Sequence, residues 1–176
     1  MTTTSFSVPA SAFLEQFKTC GITDIVTVPD YVQISVHLAL EKGSTGIRII
    51  NCATEDEAVG IALGLWMGGR NPILMMQNQG VYASANALRS AGVNTGCPML
   101  LLVGQWGREL ENLGRDPRQS LRREVRQTEP LLEALEIEWL RVEKPEEITR
   151  IQLAFERARQ IQRPVAVLIG AHTSWA

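Results

Sequence analysis

Three acidic residues follow a short apolar run in the first third of the chain. Residues 47–50 are apolar apart from one arginine, and Glu55, Asp56 and Glu57 come just after them. Thr54 and Glu57 have capping-box spacing, which predicts that Thr54 caps a helix and that Glu57 binds the Thr54 amide. Asp56 lies in the first turn, where the helix dipole favours an acid. Glu55 has no place in this cap.

The position of Glu55 relative to the predicted elements suggests a chemical role. Residues 47–50 predict a buried strand, and residues 54–67 predict the helix that follows it. Open α/β sheets bind their ligands in a crevice outside the carboxyl ends of the strands. Glu55 is expected at that edge as a catalytic or ligand-binding carboxyl. The simpler interpretation, a surface acid favoured by the helix dipole, stays open from these residues alone.

Strand-like and helix-like segments alternate along the whole chain. Strands are predicted at residues 24–28, 47–50, 72–76, 98–103, 138–142 and 164–169. Helices are predicted at residues 8–20, 31–41, 54–67, 82–91, 129–135 and 145–160. Strands that are apolar on both faces and alternate with helices indicate a covered parallel sheet. We therefore predict one α/β domain, a doubly wound parallel sheet of about six strands with helices on both faces.

The composition excludes several classes of protein. The 176 residues are 45% hydrophobic and 20% charged with a net charge of −2, as in ordinary globular proteins. A nucleic-acid-binding protein would need a basic face. No apolar run approaches the ~20 residues of a membrane span, and the N-terminus does not resemble a signal peptide, so a cytoplasmic protein is expected. Three scattered cysteines and two histidines predict no metal site.

The predicted helix at 54–67 carries glycines on one face. Gly60, Gly64 and Gly68 are spaced four residues apart. A glycine inside a helix costs roughly 0.5–1 kcal/mol relative to alanine. Gly68 is explained as part of the helix stop, but Gly60 and Gly64 indicate a close neighbour. That neighbour is either another element of this domain, or a second subunit or bound ring.

Several motifs together resemble one enzyme family. Glu55 and Gly64, on a helix after a buried strand, resemble the pyrimidine-binding domain of thiamine diphosphate enzymes. Residues 72–80 (Pro-Ile-Leu-Met-Met-Gln-Asn-Gln-Gly), 86–88 (Asn-Ala-Leu) and 98–104 (Pro-Met-Leu-Leu-Leu-Val-Gly) make the resemblance narrower. They are similar to phosphonopyruvate decarboxylases and, most of all, to the α subunits of two-subunit sulfopyruvate decarboxylases.

The resemblance assigns roles to four residues. In the family, the glutamate that matches Glu55 hydrogen-bonds N1′ of the aminopyrimidine, which promotes loss of the proton from the thiazolium ring. Glu55 is thus the expected catalytic residue, and Gln77, Asn78 and Gly80 are expected to bind thiamine diphosphate with it. The implied reaction is decarboxylation of a 2-oxo acid, such as sulfopyruvate to sulfoacetaldehyde and CO2.

Five further residues are candidates for contacts with the substrate. Gln79 stands where the family usually has serine, so the substrate is open to question. Arg108 lies in the arginine-rich connection after residue 104, and its planar guanidinium suits sulfonate or carboxylate oxygens. Three of them also have a structural interpretation: Tyr82 in packing, Asn86 in closing a turn, and Arg108 in a charged surface that faces solvent or a subunit. The substrate candidates are Tyr31, Gln79, Tyr82, Asn86 and Arg108.

The chain lacks half of the site that this family needs. No Gly-Asp-Gly segment, which holds Mg²⁺ and the diphosphate in these enzymes, occurs in the sequence. The resemblance therefore implies a β subunit with the diphosphate-binding domain, in an α2β2 or larger assembly. Two alternatives stay open. One is decarboxylation or carboligation of another 2-oxo acid, phosphonopyruvate or an aryl acid, and the other is a non-catalytic α/β scaffold subunit.

Overall fold

Six parallel strands form one sheet in the computed structural model, which describes residues 6–43 and 45–175. Every pairing is parallel, and the strand order is β2-β1-β3-β4-β6-β5. The strands are β1 (Asp24–Thr27), β2 (Arg48–Asn51), β3 (Pro72–Gln77), β4 (Leu100–Gly104), β5 (Glu138–Val142) and β6 (Val165–Ile169). The predicted parallel sheet of about six strands is confirmed.

Helices cover both faces of this sheet. They are α1 (Ala10–Thr19), α2 (Ile34–Lys42), α3 (Glu55–Met67), α4 (Asn78–Ala83), α5 (Ala85–Ala87), α6 (Arg123–Ala134) and α7 (Arg150–Ile161). One apolar core joins α1, α2 and α7 to one face, and a second core joins α3, α4 and α6 to the other. In β4, for example, Leu100 and Leu102 enter the first core whereas Leu101 and Val103 enter the second. The doubly wound architecture is thus confirmed.

Three local predictions need correction. Thr54 makes no side-chain cap, because Glu57 accepts a hydrogen bond from the Ala53 amide at 2.8 Å instead, and the Thr54 hydroxyl bonds to Asp56. The helix predicted at residues 82–91 begins at Asn78, directly after β3, and passes through α5 into a π-helical turn at Leu88–Asn94. Helix α6 begins at Arg123, six residues earlier than predicted. Its first turns are mostly polar, so the apolar pattern did not mark their start.

The connectivity creates a crevice at one edge of the sheet. Strands β1 and β3 are neighbours at the centre of this change in direction. From β1 the chain continues to β2 at one edge of the sheet, whereas from β3 it continues to β4, toward the opposite edge. Thr27 at the end of β1 is level with Asn51 of β2 and Met75 of β3, so these carboxyl ends lie side by side. Ligands of such sheets bind at this kind of switch point. Among the described residues, no helix is long and apolar enough to cross a membrane.

Candidate functional site

Glu55 is the first residue of α3 and follows the carboxyl end of β2. Its side chain is half-buried, whereas its neighbours Asp56 and Glu57 are exposed. Within the described part of the chain, no group donates a hydrogen bond or forms an ion pair with the Glu55 carboxyl. Asp56, by contrast, has a lowered pKa because Thr54 hydrogen-bonds to it. Glu55 therefore lies at the crevice with its hydrogen-bonding capacity unused.

Gly80 makes room for the Glu55 side chain. A Cβ atom built on Gly80 would lie 2.5 Å from Cγ, 2.9 Å from Oε1 and 3.0 Å from Cδ of Glu55. The φ angle of Gly80 is not positive, so the backbone of α4 does not require glycine here. The glycine is explained by the approach of the carboxyl. Two residues assigned to the cofactor site thus come together although they follow different strands.

The other predicted cofactor residues lie where β3 ends and α4 begins. Gln77 is half-buried as the last residue of β3, and Asn78 is fully buried as the first residue of α4. Asn78 accepts a hydrogen bond from the Gln79 amide at 3.1 Å and donates one to the Trp106 carbonyl at 3.1 Å. Asn78 therefore begins the helix and holds the connection after β4 beside it.

Gln79, the predicted substrate residue next to Gly80, has a side-chain oxygen without a hydrogen-bond partner among the described residues. This atom, Oε1, is buried. Leaving such a group unpaired costs about 1–3 kcal/mol, so its position needs an explanation. Gln79 precedes Gly80, the residue that contacts Glu55, in α4. Its side-chain oxygen keeps an unused hydrogen-bonding capacity.

Tyr82 and Asn86 continue along the same segment but have protein partners. The Tyr82 hydroxyl donates a hydrogen bond to the Glu124 carbonyl on α6 at 2.7 Å, and burial raises its pKa. The Asn86 side chain is exposed and accepts a hydrogen bond from Arg89 at 2.9 Å. Tyr82 therefore links α4 to α6. Asn86 is the middle residue of α5, and its side chain bonds locally, to Arg89 three residues later.

Tyr31 lies beyond the end of β1 and is accessible. Its side chain is 65% exposed, and its ring meets that of His172 edge-on with the centroids 5.4 Å apart. His172 follows β6, so the two rings join the ends of two non-adjacent strands. This places Tyr31 at the carboxyl edge of the sheet as expected. The contact with His172 was not foreseen.

A buried acid that the sequence analysis did not select lies beneath Tyr31. Asp30 is fully buried against Gly104, where a Cβ atom would lie 2.7 Å from its carboxyl carbon. Its carboxylate accepts hydrogen bonds from the Val32 amide and the Gln33 side chain, each at 2.8 Å. Burial nevertheless raises its pKa. The Val-Pro-Asp sequence at the end of β1 was the available signal.

Arg108 is corrected from a substrate residue to a structural one. Its side chain is fully buried, and it pairs with Glu143. It also donates to the Gln105 side chain at 2.7 Å, to the Asn112 side chain at 3.0 Å, and to the carbonyls of Asn112 and Arg115 at 3.1 Å. All five N–H groups of the guanidinium are therefore taken by this chain.

The glycine face of α3 is open. A Cβ atom at Gly60 or Gly64 would meet nothing within 4 Å, and Met67 on the same side is 75% exposed. Close packing inside this domain, one of the two alternatives, is thus excluded. A helix that is apolar all round is normally buried. This uncovered side is opposite to the buried side of α3, which Glu55 shares with Ala58, Val59 and Ala62.

The arrangement can hold part of a polar ring. A half-buried carboxyl with free oxygen atoms can hydrogen-bond a ring nitrogen, and the Gly80 cradle fixes its position. The described residues contain no cluster of three or more His, Cys, Asp or Glu side chains able to hold a metal ion.

Comparison with known proteins agrees with this geometry. Residues 9–130 match the family described as thiamine pyrophosphate enzyme, N-terminal TPP binding domain. The sulfopyruvate decarboxylase subunit alpha of Methanococcus maripaludis is 28% identical over 84% of this chain and 86% of its own length. That of Methanocaldococcus jannaschii is 29% identical over 91% of this chain and 92% of its own.

A solved structure has the same fold. The 2-oxoglutarate:ferredoxin oxidoreductase of Magnetococcus marinus superposes with a TM-score of 0.62 at 16% sequence identity. The match covers 90% of this chain and 28% of that longer chain. At this level of identity the likeness concerns the fold alone.

Proposed function

Because this chain belongs to the family of thiamine pyrophosphate enzyme N-terminal domains, we propose that it is the α subunit of a two-subunit 2-oxo acid decarboxylase. In this proposal the chain binds the aminopyrimidine of thiamine diphosphate, and a β subunit binds the diphosphate through Mg²⁺. The relatives that match over most of the chain are named as alpha subunits of sulfopyruvate decarboxylase. We extend that substrate, sulfopyruvate, to this chain.

The contact between Glu55 and Gly80 is the observation that carries the proposal. The carboxyl is close to the backbone of α4, half-buried, and has no partner in the described chain. A structural acid of this exposure usually pairs with a cation or caps a helix, and Glu55 does neither. A hydrogen bond to a ring nitrogen of the cofactor would use the oxygen atoms that the chain leaves free.

The chemistry assigned to this chain is proton handling and positioning. Bound thiamine diphosphate supplies the electron sink that a 2-oxo acid needs when CO2 leaves. With the cofactor bound, Glu55 would share a proton with N1′ of the pyrimidine and so favour the imino tautomer, whose nitrogen N4′ can accept a proton. Asn78 and Gly80 hold the start of α4 beside the carboxyl, so that the acid does not have to be ordered during each turnover.

Gln79 is the residue on which the choice of substrate depends. It replaces a serine that is usual in the family, and its buried Oε1 has no partner. The amide of Gln79 also provides N–H groups that can bind a carboxylate or sulfonate oxygen. A 2-oxo acid other than sulfopyruvate is therefore the second candidate. A panel of sulfopyruvate, phosphonopyruvate and aryl 2-oxo acids, tested on the assembled enzyme, distinguishes the two.

Two observations support the need for a partner. The sequence has no Gly-Asp-Gly segment, and the described residues provide no metal cluster. The side of α3 around Gly60 and Gly64 is uncovered. In this proposal a β subunit covers that side of the helix, and its diphosphate-binding domain completes the site at Glu55. We propose an α2β2 assembly or a larger multiple of it.

Glu55→Gln in the reconstituted complex is the direct test. Glutamine keeps the size of the side chain but cannot share the proton, so turnover should fall by at least about 10²-fold while assembly is unchanged. Glu57→Gln, on the same helix turn and exposed, is the matched control and should keep its activity. Full activity of Glu55→Gln would favour the scaffold alternative.

Calorimetric titration tests the division of the site between chains. Thiamine diphosphate with Mg²⁺ should bind tightly to the complex and only weakly to the α chain alone. Tight binding to the isolated chain would contradict the proposed role of the β subunit.

A further inference from the structure

A polar cleft of about 620 Å³ lies at the edge of the sheet opposite to Glu55. It is bounded by the end of β5, the start of α7 and residues 114–118 of the connection after β4. Strands β2 and β5 are the two edges of the sheet, five strand spacings or roughly 24 Å apart. The cleft therefore does not share its lining with the crevice. The cationic side chains in its wall are Arg115, Arg118, Arg141, Lys144 and Arg150.

Two of the four acids in the wall are neutralised by arginines of the same wall. Glu129 is buried and accepts two bonds from Arg141, at 2.6 and 2.8 Å. Glu147 accepts a hydrogen bond from Arg150 at 2.8 Å. Paired, desolvated carboxylates of this kind do not repel an incoming anion as free ones do.

The other two acids are also held by protein groups. Glu143 accepts the Gly114 amide at 2.7 Å and pairs with Arg108, which lies outside the wall. Asp116 accepts the Arg118 amide at 3.0 Å and lies 3.5 Å from Arg141. The wall itself carries five cations and four acids, a net charge of +1, and Arg118 also pairs with Glu133 outside the wall.

Two cations in the wall have no carboxylate partner among the described residues. The Arg115 side chain is exposed and makes no hydrogen bond or ion pair within the described chain. The Lys144 ammonium lies 5.1 Å from the centroid of the Phe6 ring and has no acid beside it. Both are therefore free to bind an anion. Trp139 adds an aromatic wall to the same cleft.

We propose that this cleft binds a small dianion with a phosphate or sulfonate group and a carboxylate. The planar guanidinium of Arg115 offers paired hydrogen bonds to a tetrahedral oxyanion, and Lys144 offers a point charge to the second group. The volume is in the range of small-molecule sites, which is about 300–1,000 Å³. Because the cleft is remote from Glu55 within the chain, this is a second site that goes beyond the proposed activity.

Calorimetric titration of the full chain, alone and in complex with its partner, tests the proposal. The probes are phosphoglycolate and sulfoacetate, which carry the same carboxylate and differ in the tetrahedral group. At low ionic strength at least one should bind with a dissociation constant below about 10 mM, and added salt should weaken binding. The tighter of the two identifies the oxyanion.

Paired variants assign the binding to this cleft. Combining Arg115→Gln with Lys144→Gln should weaken binding at least tenfold and change the thermal midpoint little, because neither side chain has a carboxylate partner and Lys144 loses only its contact with the Phe6 ring. Arg123→Gln on α6 is exposed, lies outside the cleft and should bind as the wild type does. Absence of binding for both probes, or equal binding by the double variant and the wild type, would overturn the proposal.

Discussion

Gly80→Ala isolates the contact between α4 and the Glu55 carboxyl. The added Cβ atom would lie 2.5 Å from Glu55 Cγ, whereas ordinary contacts begin at 3.4 Å. The Glu55 side chain must therefore move by about 0.9 Å, a misplacement that can cost about 10²-fold in rate. This corresponds to about 2.7 kcal/mol of transition-state stabilisation.

The same substitution should not destabilise the fold. The φ angle of Gly80 is not positive, and alanine is favoured over glycine inside a helix by about 1 kcal/mol. The three atoms nearest to the new methyl group all belong to the Glu55 side chain. We therefore expect an unchanged or slightly higher thermal midpoint together with a large loss of turnover, which separates positioning from stability.

The assay is steady-state release of CO2 from sulfopyruvate by the reconstituted complex. Ala83→Ser, an exposed change on the same helix, is the control and should keep its activity. Subunit association is measured by size-exclusion chromatography for both variants. If Gly80→Ala assembles and turns over at the wild-type rate, the Glu55–Gly80 contact does not position the catalytic acid, and our reasoning fails.

Two further predictions concern assembly and pH. Gly64→Leu should raise the unfolding free energy of the isolated chain by up to about 1 kcal/mol, since a Cβ atom at this position meets nothing within 4 Å. The same substitution should abolish co-purification with the β subunit. Lys42→Leu on α2 is the control and should co-purify as the wild type does. Burial lowers the pKa of His37 from 6.5 to about 4, so its unfolded form takes up a proton first as the pH falls. The contribution of His37 to the free energy of unfolding should be intact above pH 6.5 and decrease by about 3 kcal/mol as the pH falls to about 4. Urea unfolding between pH 4 and 7.5 should show this slope for the wild type and lose most of it for His37→Gln; equal slopes would contradict the assignment.

The architecture could be predicted because it depends on local patterns. Short apolar runs predicted all six strands within about two residues of their observed ends. The helical periodicity between these runs predicted helices on both faces of the sheet. The family resemblance, found from the Glu55 helix and the motifs after β3, is confirmed by the match over residues 9–130. These signals all lie within single elements or in their order along the chain.

The errors concern contacts between residues that are distant in sequence. Arg108 looked available for substrate, but Glu143, 35 positions later, helps to bury it. Asp30 was passed over because its burial depends on Gly104, which belongs to another strand. Helix α6 was placed too late because its amphipathic start contains Val125 and Thr128 among arginines, so its buried face was hidden in a polar run.

With the proposed β subunit as its partner, the uncovered flank of α3 would make the two polypeptides depend on balanced synthesis. Copies of this chain made in excess would expose Met67 and the bare backbone around Gly60 and Gly64 to water. Contiguous apolar surface of this kind promotes unspecific aggregation. Co-expression from one message should therefore yield more dispersed α chain than separate production followed by mixing.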